Sequence, residues 1–303
     1  MEYMKIMKNN SYQSKTYPFY FLVGALVLYL MLFVIPGVMG IYYSFTDWNS
    51  YSDKINFIGL QNFKTIFFST TGDRYMFYIF NTLKFTAVTT ILKTALALML
   101  ALLVNEGIKF KNLHRAIIFM PAILSMLVTG LIFKSILNPE TGLLNEFLKA
   151  IHLGGLAQQW LVDLKLAFGS IMAVDIWKGL GYIMTIMLSG LQSIDKSYYE
   201  AADIDGGNYF KKFRYITYPL MLPTIAVTLV LNLLYGLKVF DAVYVLTNGG
   251  PGDATDVMYT VIFRQFSNGM YGLGTTMSTI LFVIMVFVGI FVIKLLNKEE
   301  VEV

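Results

Sequence analysis

Five ionisable side chains interrupt otherwise apolar runs of this sequence. Asp175 and Lys178 stand three residues apart in "AFGSIMAVDIWKGLGY". Lys238 and Asp241 repeat the spacing in "LYGLKVFDAV", and Lys93 stands alone in "TTILKTALALML". At i, i+3 an acid and a base share one helix face and can pair. Charge in so apolar a setting is costly, and by default it marks a pathway. The alternative is that each pair only neutralises itself inside a bundle, or that the lysine snorkels to an interface. The residues alone leave both open.

Enzymatic chemistry finds few residues to work with. Of the two histidines, His114 lies beside a basic loop and His152 in another loop, and neither has an acid or a second histidine at metal-ligand spacing. No "GxxxxGK" run occurs, so any work done by ATP must be supplied by a partner. The chain has no cysteine, which excludes disulfides, thiolate metal sites and a thiol nucleophile. Its net charge of +4 is mostly a one-sided excess of basic residues, described below, and calls for no nucleic acid.

The elements that must position the five charges are membrane helices. Among 303 residues 56% are hydrophobic and 14% charged, too apolar for a soluble domain. A helix needs about 20 apolar residues to cross the hydrocarbon layer. Six stretches qualify, beginning at Phe21, Phe85, Ala116, Ala167, Pro219 and Thr275, the third being the shortest. Continuous runs without period-two alternation indicate helices and not a barrel. The expected fold is therefore all-α and polytopic, with six transmembrane helices. Pro36 and Pro121 should kink their spans, whereas Pro219 and Pro223 sit near a helix start, where proline costs less. The first span is too long for a cleaved secretory signal and no small-x-small site follows it.

Basic residues flanking spans tend to remain in the cytoplasm. One side collects Lys5, Lys8, Lys15, Lys109, Lys111, Arg115, Lys196, Lys211, Lys212, Arg214, Lys294 and Lys298. The other holds Lys54, Lys64, Arg74, Lys134, Lys149, Lys165 and Arg264, scattered through longer loops. Both termini are thus expected in the cytoplasm. The expected organisation is a tail at 1–18, a first helix and outer loop at 19–75, a five-span core at 76–296 with a loop at 195–217, and a tail at 297–303.

That loop carries "SYYEAADIDGGNYFKKF". Ser197 followed by Glu200 has the spacing of a capping box, the helix should end near Asp205, and Gly206 and Gly207 supply its C-terminal cap. Asn208 can cap a second helix whose Tyr209, Phe213 and Ile216 form one apolar face, ending where Pro219 opens the next span. Such a hairpin is either a solvated loop or a docking element. Ala201 and Ala202 favour docking, because they would let another surface approach closely.

The run "EAADIDGGNYFKKFRYITYP" resembles the E-A-A-x-x-x-G loop of binding-protein-dependent ATP-binding-cassette permeases. "WKGLGYIMTIMLSGLQSI" before it, "FDAVYVLTNGGPGDAT" after it, and "SFTDW", "FIGLQNF" and "NPETGLLN" elsewhere are similar to the branch that includes maltose, multiple-sugar and glycerol-phosphate permeases. One departure is Tyr218, where that family usually has Leu. The chain as given also lacks the additional amino-terminal spans and the large second outer domain of some maltose-type members, so contacts made there do not carry over.

The resemblance implies that the loop is a coupling helix fitting a cleft on a cytoplasmic ATPase, with Glu200, Ala201, Ala202, Asp203 and Gly206 as its contact residues. It implies a permease subunit of a bacterial or archaeal inner-membrane importer for a sugar, not itself an enzyme. The partners would be a second permease, two ATPase subunits that bind ATP and magnesium, an extracellular solute-binding protein and membrane lipid, with no cofactor in this chain. In maltose-type relatives the fourth and fifth spans form a substrate site. Carried over, this implicates Lys178, Gly179 and Tyr182, then Gly236 and Val239, with Tyr235 and Asp241 beside them. Trp177, Tyr182 and Tyr235 could stack on the apolar face of a sugar ring. A secondary transporter is the rival reading, but it would usually show paired broken helices in two related halves.

Overall fold

The computed structural model describes residues 19–70, 72–106 and 109–297. The expected tails at 1–18 and 297–303 lie outside the described residues, except Asn297, which ends the last helix. Helices α1 (Phe19–Tyr29) and α2 (Ile35–Tyr43) form the first span, joined by a wider π-helical turn at Leu30–Val34. Then follow α3 (Gln61–Phe68), α4 (Gly72–Asn105), α5 (Lys111–Ile123), α6 (Met126–Ile136), α7 (Leu143–Ala150), α8 (Ala167–Gln192) and α9 (Lys196–Ile204). The chain continues through α10 (Tyr209–Lys212), a second π turn at Phe213–Thr217, α11 (Tyr218–Leu237), α12 (Asp241–Leu246), α13 (Met258–Ser267) and α14 (Tyr271–Asn297). The described residues contain no β-strand, only one isolated bridge between Thr46 and Phe57.

Five helical stretches are long and apolar enough to cross a membrane, and the sixth expected span is a broken one. Helices α5 and α6 meet at 96°, two residues apart. Pro121 lies inside α5, its missing N–H already weakening the last turn. Leu124 then turns extended, and the Ser125 hydroxyl accepts from the Val128 amide to start a new helix. Both π turns stand just before a proline, Pro36 and Pro219. A proline cannot donate to the carbonyl four residues back, so the preceding turn widens and the helix continues. For that reason the second hairpin helix does not stop at Pro219 but runs into the fifth span as one stretch, Tyr209–Leu237.

Two span limits also differ from the expectation. The second span begins at Gly72, well before Phe85, and so crosses the boundary placed after residue 75. Its early turns can be polar because Tyr78, Asn81 and Thr82 are buried in protein. The Asn81 amide donates to the carbonyls of Ala254 and Asp256, and Thr82 Oγ1 accepts from the Met258 amide. The fifth span ends at Leu237 and not beyond Tyr244, since the chain breaks at Lys238–Phe240 before α12.

The core sits where α4, α8 and α11 pack together. Half of the apolar window of α8 is buried, against none of that of the first span, which lies at the edge of the bundle beside α14. Phe85, Ile171, Val239 and Val243 belong to one apolar cluster, and Ala97, Met184, Met187 and Met221 to another.

Candidate functional site

Lys93 of α4 and Asp175 and Lys178 of α8 meet at one cavity of about 430 Å³, lined also by Gly179, Tyr182 and, from α11, Tyr235, with Phe119, Ala122, Ile183, Leu231 and Asn232. The expected i, i+3 pairing of Asp175 with Lys178 does not form. Asp175 instead pairs across the helix packing with Lys93, whose Nζ lies 2.5 Å from Asp175 Oδ2. An i, i+3 partner suits an exposed helix face. Asp175 points into the α4–α8 contact, where only a neighbouring span can reach it. Lys93, isolated in the sequence, therefore has a partner in the fold.

The ammonium of Lys93 also lies 4.7 Å from the centroid of the Tyr235 ring, a cation–π contact. It passes over Gly179, where a Cβ would come within 3.1–3.3 Å of the lysine's outer atoms. Lys178 and Tyr182 line the same cavity from α8. Asn232, one turn before Tyr235, donates to Thr94 Oγ1 at 3.4 Å.

Not all the residues carried over reach this cavity. Gly236 is buried, and a Cβ there would meet Thr86 at 2.9–3.1 Å, so it serves the close approach of α11 to α4. Val239 is 3% exposed within the apolar core. Lys238 closes the C-terminal end of α11, and the exposed Asp241 is the first residue of α12, so their expected pairing on one helix is lost with the break between them. Trp177 turns away from the cavity, edge-on to Phe133 at 5.0 Å.

Besides running on into the fifth span, the hairpin differs from its expected form at its start. Its first helix is capped by Asp195, whose carboxylate accepts from the Ser197 amide at 2.9 Å, and not by a Ser197–Glu200 box. That hydrogen bond holds the Asp195 pKa below the usual carboxylate range. The other end is as expected. Gly206 has φ +71, its amide donates to the Asp203 carbonyl, and the Gly207 amide donates to the Ala202 carbonyl at 2.7 Å, the two hydrogen bonds of a Schellman cap. The Asn208 side chain accepts from the Lys211 amide at 2.9 Å. Glu200, Ala201 and Asp203 are exposed on α9, and Lys212 reaches back to Asp203. Tyr199 Oη and Thr217 Oγ1 lie 3.0 Å apart, and the Tyr209 hydroxyl reaches Glu106 beyond the end of α4. The hairpin is thus tied to the fifth and second spans. Its outward face leaves Ile204, Phe210 and Tyr215 at 88%, 72% and 76% exposure.

The signal missed in the sequence was complementary charge on different spans. Lys93 and Asp175 are opposite charges in two apolar runs, and neither needs a partner on its own helix. Asp195 was equally visible, two residues before Ser197.

Comparison with known proteins follows the same lines. A protein family described as "binding-protein-dependent transport system inner membrane component" matches residues 93–299. The "probable ABC transporter permease protein" YurN of Bacillus subtilis is 33% identical over 95% of this chain and 99% of its own length. A trehalose/maltose transport system permease protein of Thermococcus litoralis is 34% identical over 88% of each chain. Among solved structures, a chain of a bacterial alginate ABC transporter in complex with alginate pentasaccharide-bound periplasmic protein superposes with a TM-score of 0.79. It covers 94% of both chains at 23% identity and supports the fold.

Proposed function

The chain belongs to the binding-protein-dependent transport system inner membrane components, and from that premise we propose that it forms, with a second permease, the path of a sugar or oligosaccharide through the membrane. An extracellular solute-binding protein delivers the solute, and two cytoplasmic ATPases supply the work and hold the ATP and magnesium. The observation that carries this reading is the cavity at α4, α8 and α11, where Lys178, Tyr182 and Tyr235 offer a donor and two aromatic faces to one solute. Aromatic faces with a few placed polar groups suit a sugar ring. The relative that transports trehalose and maltose, and the solved alginate transporter with its periplasmic protein, support the solute class and the binding-protein partner.

The hairpin at 195–217 is then the coupling element. Its exposed apolar tips and the small residues Ala201 and Ala202 suit a cleft on the ATPase, and its ties to α4 and α11 carry motion into the two spans that flank the cavity. Its basic flanks, Lys196, Lys211, Lys212 and Arg214, favour the cytoplasmic side, with both termini there too. A cysteine at Asn208, in a chain that has none, should react with impermeant thiol reagents from the cytoplasm only, and one at Asn248 from outside only. The secondary-transporter reading loses support because the broken helix pair α5–α6 has no counterpart in a second half among the described residues.

The test is reconstitution of this chain with a partner permease, ATPase and binding protein, scanned with maltose, trehalose and an alginate oligosaccharide. One sugar should raise ATP hydrolysis and uptake together, and only with the binding protein present. Uptake that proceeds without ATP on an ion gradient would establish the rival.

A further inference from the structure

Lys93 and Asp175 line the cavity yet have side chains only 3% and 2% exposed. A solute in the cavity meets Tyr235, 47% exposed, in front of them. We propose that Lys93 and Asp175 are positioning residues, which hold the Tyr235 ring at a fixed tilt so that the solute finds a ready stacking face. This rests on the sugar-path reading given above.

Three contacts support the assignment. The lysine ammonium sits 4.7 Å from the Tyr235 centroid and so draws the π face toward it. The Asp175 carboxylate acts on the Tyr235 hydroxyl at the far end of the ring. The ammonium and the carboxylate are 2.5 Å apart, so the group over the ring face and the group at its hydroxyl are joined through the pair. The ring is therefore held from α4 and α8 although it belongs to α11, and a shift of any of these spans changes its tilt. Gly179 keeps the route of the lysine open: a methyl group there would stand 3.1 Å from its Cε.

The rival account is that the pair only pins α4 to α8. Energetics separate the two. A buried ion pair used as a pin can be replaced by packed apolar side chains at little or no cost. A pair that orients a ring cannot be so replaced, because apolar neighbours hold neither the π face nor the hydroxyl.

The experiment uses the assembled importer in proteoliposomes with its binding protein. The probe is the radiolabelled sugar of the panel maltose, trehalose and alginate oligosaccharide that wild type takes up fastest, and the readout is sugar imported per ATP hydrolysed. Tyr235→Ala should lower this ratio roughly tenfold, the scale of one lost aromatic contact in a closed site. The double variant Lys93→Met with Asp175→Leu should assemble normally and lower the ratio equally, and adding Tyr235→Ala to it should lower it no further. The pair Lys93→Gln with Asp175→Asn keeps the volume and removes both charges, and is read in the same way if the apolar pair does not assemble. A wild-type ratio in the paired variants, or a triple variant in which the losses multiply, would overturn the proposal. If wild type imports none of the sugars with ATP, the transport reading itself falls, which is a different result from unchanged variants in a working importer.

Discussion

The cavity wall and the hairpin each hold a lysine–aspartate pair at the same distance, 2.5 Å, and the two pairs do opposite things. In the wall, Lys93 and Asp175 have side chains 3% and 2% exposed. In the hairpin, Lys212 and Asp203 are 23% and 61% exposed. Distance does not set the strength of an ion pair; the surrounding solvent does. Water screens the hairpin pair and would take up either charge if its partner left, whereas the wall offers no such substitute. The wall pair is therefore a commitment to one packing of three spans, and the hairpin pair can open and close at little cost.

The sharpest way to break this contrast is to remove one charge from each. Asp175→Ala leaves a buried ammonium with no acid, and should cost roughly 3–5 kcal/mol of stability. It should show as a lower thermal midpoint of the purified complex and less assembled importer. An unchanged midpoint would mean that the wall is wetter than its exposure indicates.

Next in size is the backbone of the hairpin. Gly206 holds φ +71, where a β-branched residue is strained by about 1–2 kcal/mol. Gly206→Val should turn α9 against α10 and lower ATPase association and uptake together while membrane insertion stays normal. The wall, measured by the midpoint of the isolated permease pair, should not respond.

These two regions also differ in how far the sequence exposed them. The hairpin's end was legible because its signals are local: two glycines, Asn208 and the charge pattern all act within a few residues. Its start was misplaced because Ser197 and Glu200 have cap spacing, yet Asp195 already occupied the cap and the extended backbone before the helix. The six apolar runs were equally plain. Pro121 also announced the bend of α5–α6, though not its 96°, since hydropathy does not register direction; the end of α11 at Leu237 was not legible, because Lys238 and Asp241 have the spacing of a pair on one continuous helix. Lys93–Asp175 joins residues 82 positions apart, and only the packing of α4 on α8 brings them together. Gly236 and Val239 were placed on the path by resemblance to maltose-type relatives, but α11 ends at Leu237 between them, so the two do not share one helix face.

Smaller effects sharpen the hairpin side. Asp195→Ala should speed hydrogen exchange of the Ser197 amide and the first turn of α9, whereas Glu200→Gln should leave that turn unchanged and act only on ATPase coupling. The Asp195 pKa is lowered by the fold, so its stabilisation is complete above the ordinary carboxylate pKa of about 3.9 and is lost as pH falls through the lower folded value. Protection of this turn should fade in that acid range and stay flat at neutral pH. The smallest effect belongs to Asp203→Ala, which should cost less than about 1 kcal/mol and disappear at high salt.

If the cavity at α4, α8 and α11 is the solute path and is moved by ATP, its wall must respond to both sugar and nucleotide. Tyr182→Cys places a single thiol on its wall in a chain that has none. In the reconstituted importer, the transported sugar should slow labelling of that thiol by an impermeant reagent, and trapping the ATPases with ATP and vanadate should change the side from which it is reached. Labelling at one rate from one side, with or without sugar and ATP, would contradict it.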